Sequence, residues 1–214
     1  MEWEGEKVLK AETTWERDML KITYSNPMIT PFYEYIKGIE DGRDKHVKDI
    51  NDAMYFYYSI EILNGDKSMF SAWTHDYPKV PDLPLFIEAI MNTDMKKDGH
   101  VINELKEGGF HRKIQYAQIV LEDPFADIEY SYKIERYDYA VKQSDEKKHK
   151  KWTDYTLTIS EMGNKKTSFG NAVVIKNITP KELNRLKETA IEFCKQAVIA
   201  YNNDLEEGEA DEHI

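Results

Sequence analysis

Hydrophobic positions in this chain fall into one long helical stripe and several stretches of alternation. Leu183, Leu186, Ala190, Phe193, Cys194, Ala197 and Tyr201 recur at three- and four-residue steps, with Ile191 and Val198 flanking them. Lys181, Arg185, Lys187, Glu188, Glu192 and Lys195 occupy the other side, so residues 179–203 predict an amphipathic helix that lies on something apolar. Its start is explicit. Thr179 offers a capping hydroxyl, Pro180 suits the first helical position, and Glu182 reaches back to close a capping box. Ile178 and Leu183 stand where a hydrophobic staple would pair them, and Asn202-Asn203 marks the expected end.

Strand signals dominate elsewhere. Leu20, Ile22 and Tyr24 alternate with polar residues up to Asn26-Pro27. In residues 54–63, Met54, Phe56, Tyr58, Ile60 and Ile62 share one face, while Tyr55, Tyr57, Ser59 and Glu61 share the other. Asn64-Gly65 then predicts a hairpin into a return strand at 68–74. Further strands are expected at 113–121, at Ile128–Ile134 with Tyr130 and Tyr132, at 155–159 and at 167–176. After Ile134 the apolar parity moves to Tyr137, Tyr139 and Val141, which predicts a bulge near Glu135-Arg136.

Between these runs, Thr30-Pro31 repeats the cap-and-proline start, with Phe32, Tyr35, Ile36 and Ile39 as the apolar face of a helix ended by Gly42. A second helix is expected at 83–93, and a short one at 101–106. Residues up to Thr14 read as an arm, 77–84 as a proline-rich loop, 144–151 as a charged loop and Gly163-Asn164 as a turn. The reading is an α+β fold: a mainly antiparallel sheet of about six strands, packed by helices and closed by the long C-terminal helix. Residues 1–203 form one domain with a possible subdomain boundary at 108–110, and 204–214 form an acidic, disordered tail.

Composition narrows the class. At 214 residues with 41% hydrophobic and 12% aromatic content, the chain can bury a substantial core. A net charge of −11, with six acids crowded into residues 204–212, is unfavourable for wrapping a phosphate backbone. Only five of the 29 basic residues are arginine, the bias of AT-rich coding, which suggests a low-GC bacterium or one of its phages. The single cysteine excludes an intrachain disulfide. An acidic start at Met1–Glu6 and the lack of any apolar run near the ~20 residues of a bilayer span predict a soluble, cytoplasmic protein.

Candidate chemistry is sparse. His75-Asp76 at a strand end suggests half of an acid–base pair, yet strand neighbours point to opposite faces. His46, His100, His111, His149 and His213 lack metal-ligand spacing, although His100 and His111 flank a Gly-rich loop. Cys194 sits in the helical core stripe, far from any helix start that would activate it. Gly108-Gly109 and Gly163-Asn164-Lys165-Lys166 match no phosphate-loop pattern. Lys147, Lys148, Lys150 and Lys151 beside Trp152 form the one basic cluster, and Asp145 and Glu146 adjoin it.

No catalytic residue, cofactor or metal is therefore expected. The reading is a non-catalytic interaction protein that binds another protein, itself basic or nucleic-acid-binding, such as host machinery targeted by a phage or mobile element. Direct nucleic-acid binding and membrane insertion are not expected. Tyr55, Tyr57, Tyr137 and Tyr139 are the candidate partner-binding residues, because tyrosines on an outward strand face suit an interface. The alternatives are a small-ligand binder with a cavity between sheet and C-terminal helix, and an enzyme without a recognisable motif.

Overall fold

The computed structural model describes residues 10–31, 46–76, 82–95, 97, 101–123, 128–143, 149–163 and 171–211. The α+β class and the antiparallel pairing are as the sequence predicts. The strands are more numerous than expected, nine among the described residues, and they form two sheets. In chain order they are β1 (Glu12–Arg17), β2 (Leu20–Pro31), β3 (Ala53–Asn64), β4 (Lys67–Asp76), β5 (Asn103–Glu107), β6 (Phe110–Asp123), β7 (Ile128–Lys142), β8 (His149–Gly163) and β9 (Ala172–Ile178). Helix α1 spans Asp82–Asn92 and helix α2 spans Pro180–Asp211. Each sheet is a meander: β1-β2-β3-β4 and β5-β6-β7-β8-β9. The chain divides into two compact units, one of Met1–Pro84 with Glu188–Ile214, the other of Leu85–Lys187. The suggested boundary at Gly108-Gly109 is instead the turn of the β5–β6 hairpin, inside the second unit.

The first unit is built on the alternation of β3. Phe56, Tyr58, Ile60 and Ile62 are buried, and Ile22, Tyr24, Phe70 and Ala72 stand buried on neighbouring strands. Phe193 of α2 lies in their midst, its ring 5.7–5.8 Å from the rings of Tyr24, Phe56 and Tyr58. Polar contacts fix the helix along the sheet. Thr13 donates to the Thr189 carbonyl (3.1 Å), and the Asn202 side chain both donates to and accepts from the backbone of Val47 (2.8 Å each). Gly65 holds φ +59° in the β3–β4 turn, and its N–H bonds to the Met19 carbonyl.

Several expectations fail in this unit for identifiable reasons. Residues 12–17 are a strand rather than an arm, because Trp15 is buried opposite Ile22. Asn26-Pro27 does not stop β2: a bulge between Ser25 and Met28, with Asn26 at φ 54°, absorbs the proline and the strand resumes. Thr30-Pro31 consequently ends a strand, while Phe32, Tyr35, Ile36 and Ile39 lie outside the described residues. Helix α2 continues through Asn202-Asn203 to Asp211, since Asn202 is satisfied sideways by Val47 and caps nothing. Residues 204–211 are thus helical where a disordered tail was expected.

In the second unit, Tyr132 and Ile134 on β7, Tyr155, Leu157 and Ile159 on β8, and Val173 and Ile175 on β9 are buried. Arg136 rises from this same face of β7 to the end of α1. One of its terminal nitrogens donates to the carbonyls of Ile90 (3.2 Å), Met91 (3.2 Å) and Thr93 (2.7 Å), which the helix leaves without partners of its own. Its Nε donates to Asp138 (3.2 Å), and Asp138 also accepts from Thr153 (2.6 Å).

The start of α2 follows the sequence closely. The Thr179 N–H donates to Glu182 (2.7 Å), the Glu182 N–H donates to the Thr179 hydroxyl (3.3 Å), and Ile178 and Leu183 are both fully buried. Two expectations change here. Residues 103–107 are strand β5 rather than a helical turn, drawn into register by the hairpin with β6. No bulge interrupts β7 at Glu135-Arg136; every residue from Ile128 to Val141 is paired with both neighbours. The parity shift is real, and it moves the apolar residues to the opposite face of the sheet.

Candidate functional site

That opposite face carries the most distinctive surface of the second unit. Cross-strand register places Leu105, Arg112, Tyr139 and Trp152 in one row over β5, β6, β7 and β8. On one side of it runs a row of Phe110, Val141 and Lys150, and on the other a row of Ile114, Tyr137 and Asp154. The rings are mutually organised. Tyr139 stacks on Trp152 with centroids 4.8 Å apart and planes 12° from parallel. Tyr137 and Tyr139 lie 6.2 Å apart at 11°, and Phe110 lies 6.1 Å from Tyr139. Trp152 (37%), Leu105 (38%) and Tyr116 (46%) are exposed, whereas Tyr137 and Tyr139 are half-buried.

Charge on this face is distributed unequally. Glu135 accepts from Lys133 (3.0 Å) and from the Tyr137 hydroxyl (3.3 Å), and Asp154 accepts from the Trp152 indole (3.1 Å). Lys133 also sits over the Tyr116 ring, 5.3 Å from its centroid. Arg112 differs: its Nε is buried and has no hydrogen-bond partner among the described residues. Lys150 rests over the Trp152 ring at 5.9 Å. Burial raises the Tyr137 phenol above its ordinary value, and the neighbouring Glu135 carboxylate pushes the same way. Burial raises Tyr139 too, helped by Asp154 and opposed by Arg112.

Of the sequence-predicted residues, Tyr137 and Tyr139 thus meet in one cluster. Tyr57 stands opposite Met28 and His75 in the first unit, on the face of β3 away from Phe193, and is half-buried. Tyr55 lies on β3 opposite Thr30, and its side chain falls outside the described residues. Sequence reasoning missed Trp152, Phe110 and Arg112. Trp152 carries a signal, since Lys150, Trp152 and Asp154 alternate, but the sequence predicts a charged loop over 144–151, whereas β8 begins at His149. Lys147 and Lys148 lie outside the described residues, as do 164–170 after Gly163.

The other candidates come to less. His111 meets Glu104 at 2.8 Å on the β5–β6 hairpin, beside Lys106 (2.9 Å) and Lys113 (3.9 Å). Hydrogen bonds from Lys106 and then His111 lower the Glu104 carboxyl to about 2, which makes it a fixed charge rather than a proton carrier near neutrality. His100 lies outside the described residues. His75 and Asp76 lie on β4 opposite Tyr57 and Phe56, and their side chains fall outside the described residues. Cys194 is buried in the first unit. Among the described residues, no three His, Cys, Asp or Glu side chains are grouped to hold a metal, and no helix is long and apolar enough to cross a membrane.

Comparison with protein-family models, with curated proteins and with solved structures finds no match to this chain.

Proposed function

We propose that this protein acts by binding another protein, and that the aromatic face of the second sheet is where the partner docks. One observation carries the reading: Phe110, Tyr137, Tyr139 and Trp152 stand together on the sheet face opposite the buried one, with Trp152 open to solvent. Rings of this kind bury a large area with few rotatable bonds, so docking orders little that the strands have not already ordered. Aromatic residues and arginine are also the types that concentrate binding energy at the centre of interfaces. A ligand cavity beneath α2 is the weaker reading. In the first unit the Phe193 ring occupies the space between helix and sheet.

The test is affinity capture from lysate of the source organism with the wild type and with a Tyr139→Ser/Trp152→Ser variant as parallel baits. A partner retained by the wild type should be missing from the variant, whose thermal melt should remain cooperative. Recovery of the same proteins in the same amounts by a folded variant would overturn the reading.

A further inference from the structure

We infer that the docked segment of the partner is acidic, its carboxylates meeting Arg112 and Lys150 on either side of the Tyr139–Trp152 stack. The inference rests on the docking reading and adds the chemistry of what docks. Two of the carboxylates on this face, Glu135 and Asp154, are occupied by Lys133, the Tyr137 hydroxyl and the Trp152 indole. Two of its cations are not occupied by carboxylates among the described residues. Arg112 lies between Leu105 and Tyr139 in the cross-strand row, with its Nε buried and without a hydrogen-bond partner among the described residues. Lys150 has the Trp152 ring for company.

A guanidinium held among apolar groups forms a stronger, better-directed bond to an arriving carboxylate than it would in water. The strand that carries Trp152 is itself basic at this end, with His149, Lys150 and Lys151 in sequence, although the chain as a whole carries −11. β9 pairs β8 only between Tyr155 and Ser160, so among the described residues this basic stretch extends past β9. Glu107, a further acid of the face, stands at the turn of the β5–β6 hairpin, opposite Phe110. A peptide is favoured over nucleic acid as the source of the negative charge: it can aim single carboxylates at Arg112 and Lys150, whereas a phosphate backbone is charged at every residue and would also meet Glu107, Glu135 and Asp154.

The experiment is selection from a ribosome-displayed library of random short peptides on immobilised wild-type protein. The Tyr139→Ser/Trp152→Ser and Arg112→Gln/Lys150→Gln variants serve as controls, each checked for a cooperative melt. A single-stranded oligothymidine is titrated in parallel. The expected result is recovery of peptides enriched in Asp and Glu beside apolar residues. Their affinity should fall about tenfold or more on Arg112→Gln/Lys150→Gln and should weaken as salt rises. Recovered peptides that need Tyr139 and Trp152 but are neutral or basic, or are indifferent to the charge variant, would overturn the acidic segment and leave the docking face standing. Failure to recover any peptide that depends on Tyr139 and Trp152 would overturn both. Oligothymidine binding abolished by the charge variant would overturn the inference in favour of a nucleic acid.

Discussion

The two sheets are alike in plan and opposite in what they present. Both are antiparallel meanders with one buried apolar face. On the first sheet, the face away from Phe193 carries small hydroxyl pairs, Thr14 with Thr23 at 3.0 Å and Ser25 with Ser59 at 2.8 Å, beside the Lys21–Glu16 ion pair, with Tyr57 and Met28 farther along the strands. Such pairs satisfy each other and offer little apolar area to a partner. On the second sheet, the corresponding face carries stacked aromatic rings and a guanidinium nitrogen that has no hydrogen-bond partner among the described residues. The contrast separates interior aromatics from surface aromatics in one chain. Phe56, Tyr58 and Phe193 lock together within the interior, whereas Tyr137, Tyr139 and Trp152 lock together and still reach water.

The largest expected effect lies in the first unit. Phe193→Ala should cost about 3–5 kcal/mol, because it removes the ring on which three others converge. Chemical denaturation measures it, and an unchanged midpoint would show that this core does not depend on the helix. Arg136→Met comes next. It keeps the aliphatic length but strips three carbonyls of their donor and leaves Asp138 with only Thr153 among the described residues, for an expected loss of about 2–3 kcal/mol. A loss below about 0.5 kcal/mol would mean that water replaces the guanidinium at no cost.

The smallest effect is a pH dependence to which the aromatic face contributes. Tyr137 and Tyr139 have raised values in the folded protein, so the folded state keeps protons that the unfolded chain releases near pH 10. Their contribution is complete below that pH and is lost as pH climbs through the raised values. Thermal stability should therefore fall less steeply above about pH 10 in Tyr137→Phe/Tyr139→Phe than in the wild type. Identical slopes would remove the electrostatic distinction between the two faces.

The same contrast explains what the sequence disclosed. Period-two alternation in β3 and the capping box at Thr179 were legible because each is local, and each recurs in the structure as read. Strand β1 was not legible, since its one large apolar anchor, Trp15, becomes informative only opposite Ile22. Half of the aromatic face was visible as the parity shift at Tyr137 and Tyr139. Its meaning was not, because a bulge and a change of buried face leave the same trace in one strand; the unbroken register with β6 and β8 separates them. Arg112 and Trp152 join the tyrosines across strand pairings that no spacing along the chain encodes.

The central claim is that the second sheet, and not the first, receives the partner. Hydroxyl-radical footprinting of the protein with and without its captured partner tests it most directly, since exposed reporters stand on both sheets: Met28 (55%) on the first and Trp152 (37%) on the second. Oxidation of Trp152 and Tyr139 should fall on binding while that of Met28 and Tyr57 stays constant. Protection of Met28 and Tyr57 with Trp152 unchanged would contradict the account and move the interface to the first sheet.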